Sequence, residues 1–109
     1  MSKKLKNANG NIPHSKDERE EIINNAAKAY EAFMDALKFD WRTDPHSQDT
    51  PRRVAKSFVN DMFRGCYEEK PRMTHFDNHE KYDGMVFQGG IPDKSMCSHH
   101  HLPFIGRAH

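Results

Sequence analysis

No stretch of this sequence approaches the ~20 consecutive apolar residues that a membrane-spanning helix needs. The start, Met1-Ser2-Lys3-Lys4-Leu5-Lys6, is basic, but residues 7–16 lack the apolar run that a secretory signal would carry. A cytoplasmic protein without membrane association is therefore expected. Cysteine is scarce: only Cys66 and Cys97 occur. Without a secretory signal both are expected as reduced thiols, not as a disulfide. Charge of one sign is lacking too, with 17 Lys and Arg against 16 Asp and Glu and a net charge of +1. That balance excludes the basic stripe of a nucleic-acid-binding surface but leaves room for a local anion site. Apolar residues are few, at 35% against 30% charged. A domain of this length buries only about two-thirds of its unfolded surface even with a favourable composition. A well-packed solitary monomer is not expected; a partner chain, a metal or further sequence would have to help.

What is present falls into an order. Residues 1–14 are rich in Lys and Asn and read as a disordered leader. Ser15-Lys16-Asp17-Glu18 is a capping-box pattern. Apolar residues at Ile22, Ala26, Tyr30, Phe33 and Leu37 then predict one helical stripe, in a helix over about 15–39. A loop around Trp41 and Pro45 follows, with Trp41 expected to anchor it. Asp49 or Thr50 can cap a second helix over about 50–64, with Pro51 at its first position. Its predicted stripe is Val54, Phe58 and Met62, flanked by Ala55, Val59 and Phe63, and Gly65 is expected to end it. The polar stretch 66–84 reads as a long connection. Strands are expected from about 85, beginning with Met85-Val86-Phe87. Gly89-Gly90-Ile91-Pro92-Asp93 is expected to interrupt them as a bulge or loop. A second strand pattern starts at Leu102 and runs to His109 without a turn signal.

Chemistry concentrates in two places. In Ser95-Met96-Cys97-Ser98-His99-His100-His101 the thiol of Cys97 and the imidazole of His100 are three residues apart, a spacing suited to gripping one Zn²⁺. Sulfur beside imidazole favours zinc over oxygen-seeking Mg²⁺ or Ca²⁺. Two donors make only half a site, and a histidine cluster beside a reduced cysteine with no metal is the competing reading. On an extended segment His99 and His100 would point to opposite sides and so do different jobs. The second place is Thr50-Pro51-Arg52-Arg53-Val54-Ala55-Lys56, where Arg53 and Lys56 project from one side of the first helical turns, a natural position for a phosphate. Taken alone, a solvated basic face is the stronger reading of that pair. Cys66 is expected to be a partly buried thiol, and His14, His46, His75 and His79 to be solvated. Nothing in the spacing makes His109 a third imidazole for zinc.

Cys-x-His-His followed by an apolar-Pro-Phe-x-Gly strand, with Thr-Pro-x-Arg-Val-Ala-Lys some forty residues earlier, resembles GTP cyclohydrolase I. The likeness extends over about 15–109, as the N-terminal portion of that domain. The resemblance implies an α+β tunnelling fold (T-fold), with N-terminal helices beside an antiparallel sheet, assembled into a toroidal homodecamer with active sites between subunits. It implies zinc ligation by Cys97 and His100, proton transfer by His99, and triphosphate binding by Arg53 and Lys56. The activity it implies is zinc-dependent hydrolysis of GTP to 7,8-dihydroneopterin triphosphate and formate, the first step of folate and pterin biosynthesis. Three departures accompany it. The family's third zinc ligand, a downstream cysteine, and its downstream Gln-Glu guanine anchor have no counterpart within the 109 residues. Ser98 stands where Glu is usual. His101 occupies a usually apolar position, and Pro92-Asp93-Lys94 replaces part of a regular strand. Two other readings follow: an inactive fragment or divergent member that binds zinc or docks on related subunits, and another T-fold enzyme acting on a purine or pterin. On the enzyme reading too, the 109-residue chain alone is expected to be inactive, because it holds only two of the three matching zinc ligands.

Overall fold

A computed structural model describes residues 5–109, so the first four residues of the expected leader lie outside the described residues. Helices and a two-stranded antiparallel sheet make this an α+β chain. It divides into two compact units, residues 1–69 and 70–109.

The first unit is helical. Helix α1 spans Lys16–Ala36 and opens on the expected capping box. The Ser15 hydroxyl accepts from the Glu18 N–H at 3.2 Å, and the Glu18 carboxylate accepts from the Ser15 N–H at 2.8 Å. Those bonds, the backbone one first, hold the Glu18 carboxyl below its ordinary value. The helix stops three residues short of the predicted Phe39. Lys38 adopts φ 69° and its N–H returns to the Asp35 carbonyl, while the Phe39 N–H reaches the Met34 carbonyl. This is the Schellman arrangement, with lysine in the left-handed place that glycine usually takes.

Helix α2, Thr50–Ser57, runs into a π-helical turn over Phe58–Met62 and then a short helix α3, Arg64–Tyr67. Gly65 therefore does not end the helix as expected; it lies inside α3. The core consists of Ile23, Ala27, Ala55 and Val59, with Ile22, Ala26 and Tyr67 packed against it. Both apolar stripes are thus turned by one residue from the predicted ones. Phe33 and Leu37 are half exposed, and Met62 is exposed as well. The physical reason is size. Ala27 and Ala55 let the two helix backbones approach more closely than a Phe33–Phe58 contact would, and each then seats a β-branched neighbour, Ile23 or Val59.

Two further ties close this unit. Trp41 is buried, donates from Nε1 to Asp35 Oδ1 at 2.9 Å, and is covered by the Arg42 guanidinium at 4.3 Å. Arg42 also grips Asp35 with two bonds, at 2.7 and 3.0 Å. The expected loop anchor is thus in place. The leader expectation changes over residues 11–14. Asn11 Nδ2 donates to the carbonyls of Gly65 and Glu68 at 2.5 and 2.8 Å. The N–H groups of Ile12 and His14 donate to the carbonyls of Cys66 and Tyr67. The carbonyls at the end of α3 would otherwise lack helical partners, and this segment supplies them. His14, expected to be solvated, is half-buried with its ring edge-on to Tyr67 at 5.7 Å.

In the second unit, strands β1 (Ile91–Met96) and β2 (Pro103–Ala108) pair antiparallel, with Ile91 opposite Ala108 and Met96 opposite Pro103. The expected strand at Met85-Val86-Phe87 does not form, and those side chains are exposed. The segment expected to interrupt it, Ile91-Pro92-Asp93, is itself in the strand. A β-prone run becomes a strand only where a neighbour takes up its hydrogen bonds. Here the neighbour is the chain that returns through the loop at 97–102. The break is at Gly90, which has φ 65°. The His109 ring Nδ1 accepts from the Gly90 N–H at 3.0 Å and so closes the open end of the hairpin.

Candidate active site

The basic pair lies where the first unit's core fixes the rotation of α2. Pro51, Ala55 and Val59 face α1 and are buried. At 100° per residue, Arg52 then lies about 60° from the mean core direction, Lys56 about 100° and Arg53 about 160°. Arg52 turns back onto α1, donating to Glu20 Oε1 at 2.5 Å and Asn24 Oδ1 at 2.6 Å. Arg53 and Lys56 remain exposed. Arg53 makes only a long contact, 3.9 Å, with Asp49, and both side chains are about three-quarters exposed. An ion pair of that kind contributes little in water. No side-chain bond from Asp49 or Thr50 caps α2. Arg53 in the first turn and Lys56 one turn on therefore present two loosely held cations on the exposed side of α2, an arrangement that suits a multiply charged anion.

The cysteine–histidine motif occupies the loop that joins β1 to β2. The Cys97 N–H donates to the Leu102 carbonyl and the His101 N–H to the Cys97 carbonyl, both at 2.8 Å. Ser98, His99 and His100 form the turn, and His101 takes the left-handed conformation at φ 53°. Histidine is among the few non-glycine residues enriched there. The turn overturns the expected extended segment, so simple alternation does not separate His99 from His100. The ring that comes to the Cys97 sulfur is His99, with Nδ1 at 3.9 Å. The His99 and His100 ring centres are 6.5 Å apart. Cys97 is half-buried, and all three histidines are exposed.

A sequence model described as GTP cyclohydrolase I matches residues 26–109, which takes in both the Arg53–Lys56 turn and the Cys97–His101 loop. The chain belongs to the GTP cyclohydrolase I family. Among relatives named GTP cyclohydrolase 1, it is 43% identical to that of Flavobacterium johnsoniae over 83% of this chain and 40% of the relative. It is 38% identical to that of Aeromonas salmonicida over 72% of this chain and 36% of the relative. To that of Lysinibacillus sphaericus it is 43% identical over 56% and 32%. The chain therefore spans well under half the length of the curated relatives it matches.

Within this family member the two sets of residues lie on separate units, Arg53 and Lys56 on the first and Cys97, His99 and His100 on the second. Among the described residues no three His, Cys, Asp or Glu side chains converge as a metal cage. The donors that are present nonetheless fit zinc chemically. Sulfur and imidazole nitrogen bound to one tetrahedral Zn²⁺ stand about 3.5 Å apart, and the Cys97–His99 separation is within a few tenths of an ångström of that. Cys66 is a half-buried free thiol, as expected. The burial of neighbouring Tyr67 raises its phenol, with a smaller contribution from Cys66. Sequence reasoning missed Arg52, whose partners 28 and 32 residues away leave no local signal. It also missed the left-handed position of His101, for which only the turn itself is a cue. No helix among the described residues is long and apolar enough to cross a membrane.

Proposed function

We propose that this chain provides the triphosphate-binding helix and the cysteine–histidine loop of a zinc-dependent GTP cyclohydrolase I. That enzyme converts GTP to 7,8-dihydroneopterin triphosphate and formate at the start of folate and pterin biosynthesis in the cytoplasm. The observation that carries this reading is the family match over 26–109, which encloses both chemical motifs. Arg53 and Lys56 bind the triphosphate as charge-assisted donors and orient the nucleotide. Cys97 and His100 hold Zn²⁺ together with a third donor beyond those described. When bound, the metal supplies hydroxide near neutral pH by lowering the pKa of its water to about 7. His99 carries protons to and from the purine ring, because an imidazole titrates near working pH. A T-fold homodecamer is the assembly that goes with this reading, and it would cover the exposed apolar side chains of the hairpin unit.

One observation favours a variant of the ligand assignment. It is His99, not His100, whose Nδ1 stands near the Cys97 sulfur. In that variant His99 binds zinc and His100 moves the proton. Zinc content by plasma emission, measured beside formate release in the complete enzyme, decides between them for Cys97→Ala, His99→Ala and His100→Ala. In the first assignment the Cys97 and His100 variants lose metal and activity together. The His99 variant then keeps zinc and slows by about 10²–10⁴-fold. Loss of zinc in the His99 variant, with retention in the His100 variant, exchanges the roles. Zinc retained in all three would refute the metal reading.

A further inference from the structure

Three cations occupy the first two turns of α2, and one of them differs from the others. Arg53 and Lys56 are exposed and loosely held or unpaired among the described residues. Arg52 is committed to α1, spanning Glu20 and Asn24, which lie one helical turn apart. The two helices run antiparallel: the segment just before α1 bonds to the carbonyls of Cys66 and Tyr67, beyond the far end of α2, while Pro51 and Arg52 at its start line one hollow with Ala27, Lys28 and Glu31 of α1. Moving forward along α2 therefore moves toward the start of α1. Lys56 lies one turn beyond Arg52 on nearly the same flank, on the side toward Glu20.

From this geometry we propose that Arg52 is a positioning residue that sequesters the Glu20 carboxylate. By occupying that acid it keeps Glu20 from drawing Lys56 out of the phosphate site. The inference rests on the reading of Arg53 and Lys56 as phosphate ligands and deepens it by stating what keeps them available. The chemistry is competition between anions. A carboxylate one turn away on a facing helix and a phosphate from solvent compete for the same ammonium. The carboxylate has the advantage of being tethered, as an intramolecular partner always is. Arg52 removes that competitor because its planar fork satisfies Glu20 and Asn24 together, which a lysine's single ammonium does less well.

The test uses the 109-residue chain and inorganic tripolyphosphate, followed by NMR at the backbone amides of Arg53 and Lys56. In Arg52→Gln the freed Glu20 takes Lys56, and affinity falls about three- to fivefold. Adding Glu20→Gln to that variant removes the competitor and returns affinity to within about twofold of the parent. A role as a mere clamp between helices would give the opposite result, because the double variant lacks the clamp as well. An affinity that stays low in the double variant overturns the proposal. Glu20→Gln alone leaves Arg52 and the buried core in place, and it is expected to bind at least as tightly as the parent. Weaker binding there overturns the proposal even where Arg52→Gln loses helix content by circular dichroism. Arg53→Ala separates the two levels. If it weakens binding while Arg52→Gln does not, sequestration fails and the phosphate site stands. If Arg53→Ala and Lys56→Ala both leave affinity unchanged, the phosphate reading fails and takes this inference with it.

Discussion

Replacing Ile23 tests whether the small core holds the phosphate-binding helix in place. Ile23 is 1% exposed and sits among Ala27, Ala55 and Val59, so its side chain is out of water and packed against α2. Ile23→Val removes one methylene, worth about 0.8 kcal/mol in transfer alone. Ile23→Ala removes three carbons, about 2.4 kcal/mol, and a cavity that the neighbouring alanines cannot fill brings the total to about 3–4 kcal/mol. A helical unit of roughly 65 residues has about 3–10 kcal/mol of stability in all. The valine variant should therefore unfold slightly earlier in urea, and the alanine variant much earlier, reaching its midpoint without denaturant only if the parent lies at the low end of that range. The assay is urea titration of ellipticity at the helix band, with Trp41 fluorescence as a second probe of the same unit. Coincident transitions with the two losses in about a one-to-four ratio are expected. A loss below about 1 kcal/mol in the alanine variant would refute the reasoning, because the α1–α2 contact would then not be what holds the unit together.

Three further outcomes follow from particular contacts. Lys38→Gly should raise the melting temperature of the helical unit by relieving about 1 kcal/mol of left-handed strain; an unchanged or lower value would show that lysine is unstrained there. The hydrogen bonds from Arg42, and then from Trp41, hold the Asp35 carboxyl below the usual carboxylate range. A lowered folded-state pKa contributes stability above the unfolded value near 4, and that stability is lost as pH falls through the folded value. The melting difference between the parent and Asp35→Asn should accordingly be full at neutral pH and shrink below about pH 4, and a pH-independent difference would contradict this account. His101→Val places a β-branched residue at φ 53° and should disorder the Cys97–His101 loop, whereas His101→Gly should leave it intact. Zinc retention by the two variants, read side by side, checks that ordering.

The motifs and their order were legible in the sequence because they are local. The capping box needs four consecutive residues, Pro51 carries its own backbone preference, and Cys97 to His101 stand within one loop. Family membership was legible for the same reason, from two short patterns at a characteristic separation. The sequence also placed both helices and the strand that begins after Leu102. Tertiary structure decided what depends on a partner. The apolar periodicity of α1 and α2 admitted two neighbouring faces, and close approach through Ala27 and Ala55 selected the one with Ile23 and Val59. Met85-Val86-Phe87 has the composition of a strand but no neighbour to take up its hydrogen bonds. Ile91-Pro92-Asp93 has a poor composition and a neighbour across a short loop, and that one pairs. Likewise, Arg52 and Arg53 are the same residue type side by side. Only the position of Glu20 and Asn24 on the facing helix commits one to structure and leaves the other to solvent, because a hydrogen bond across 28 or 32 residues has no local pattern from which to be read.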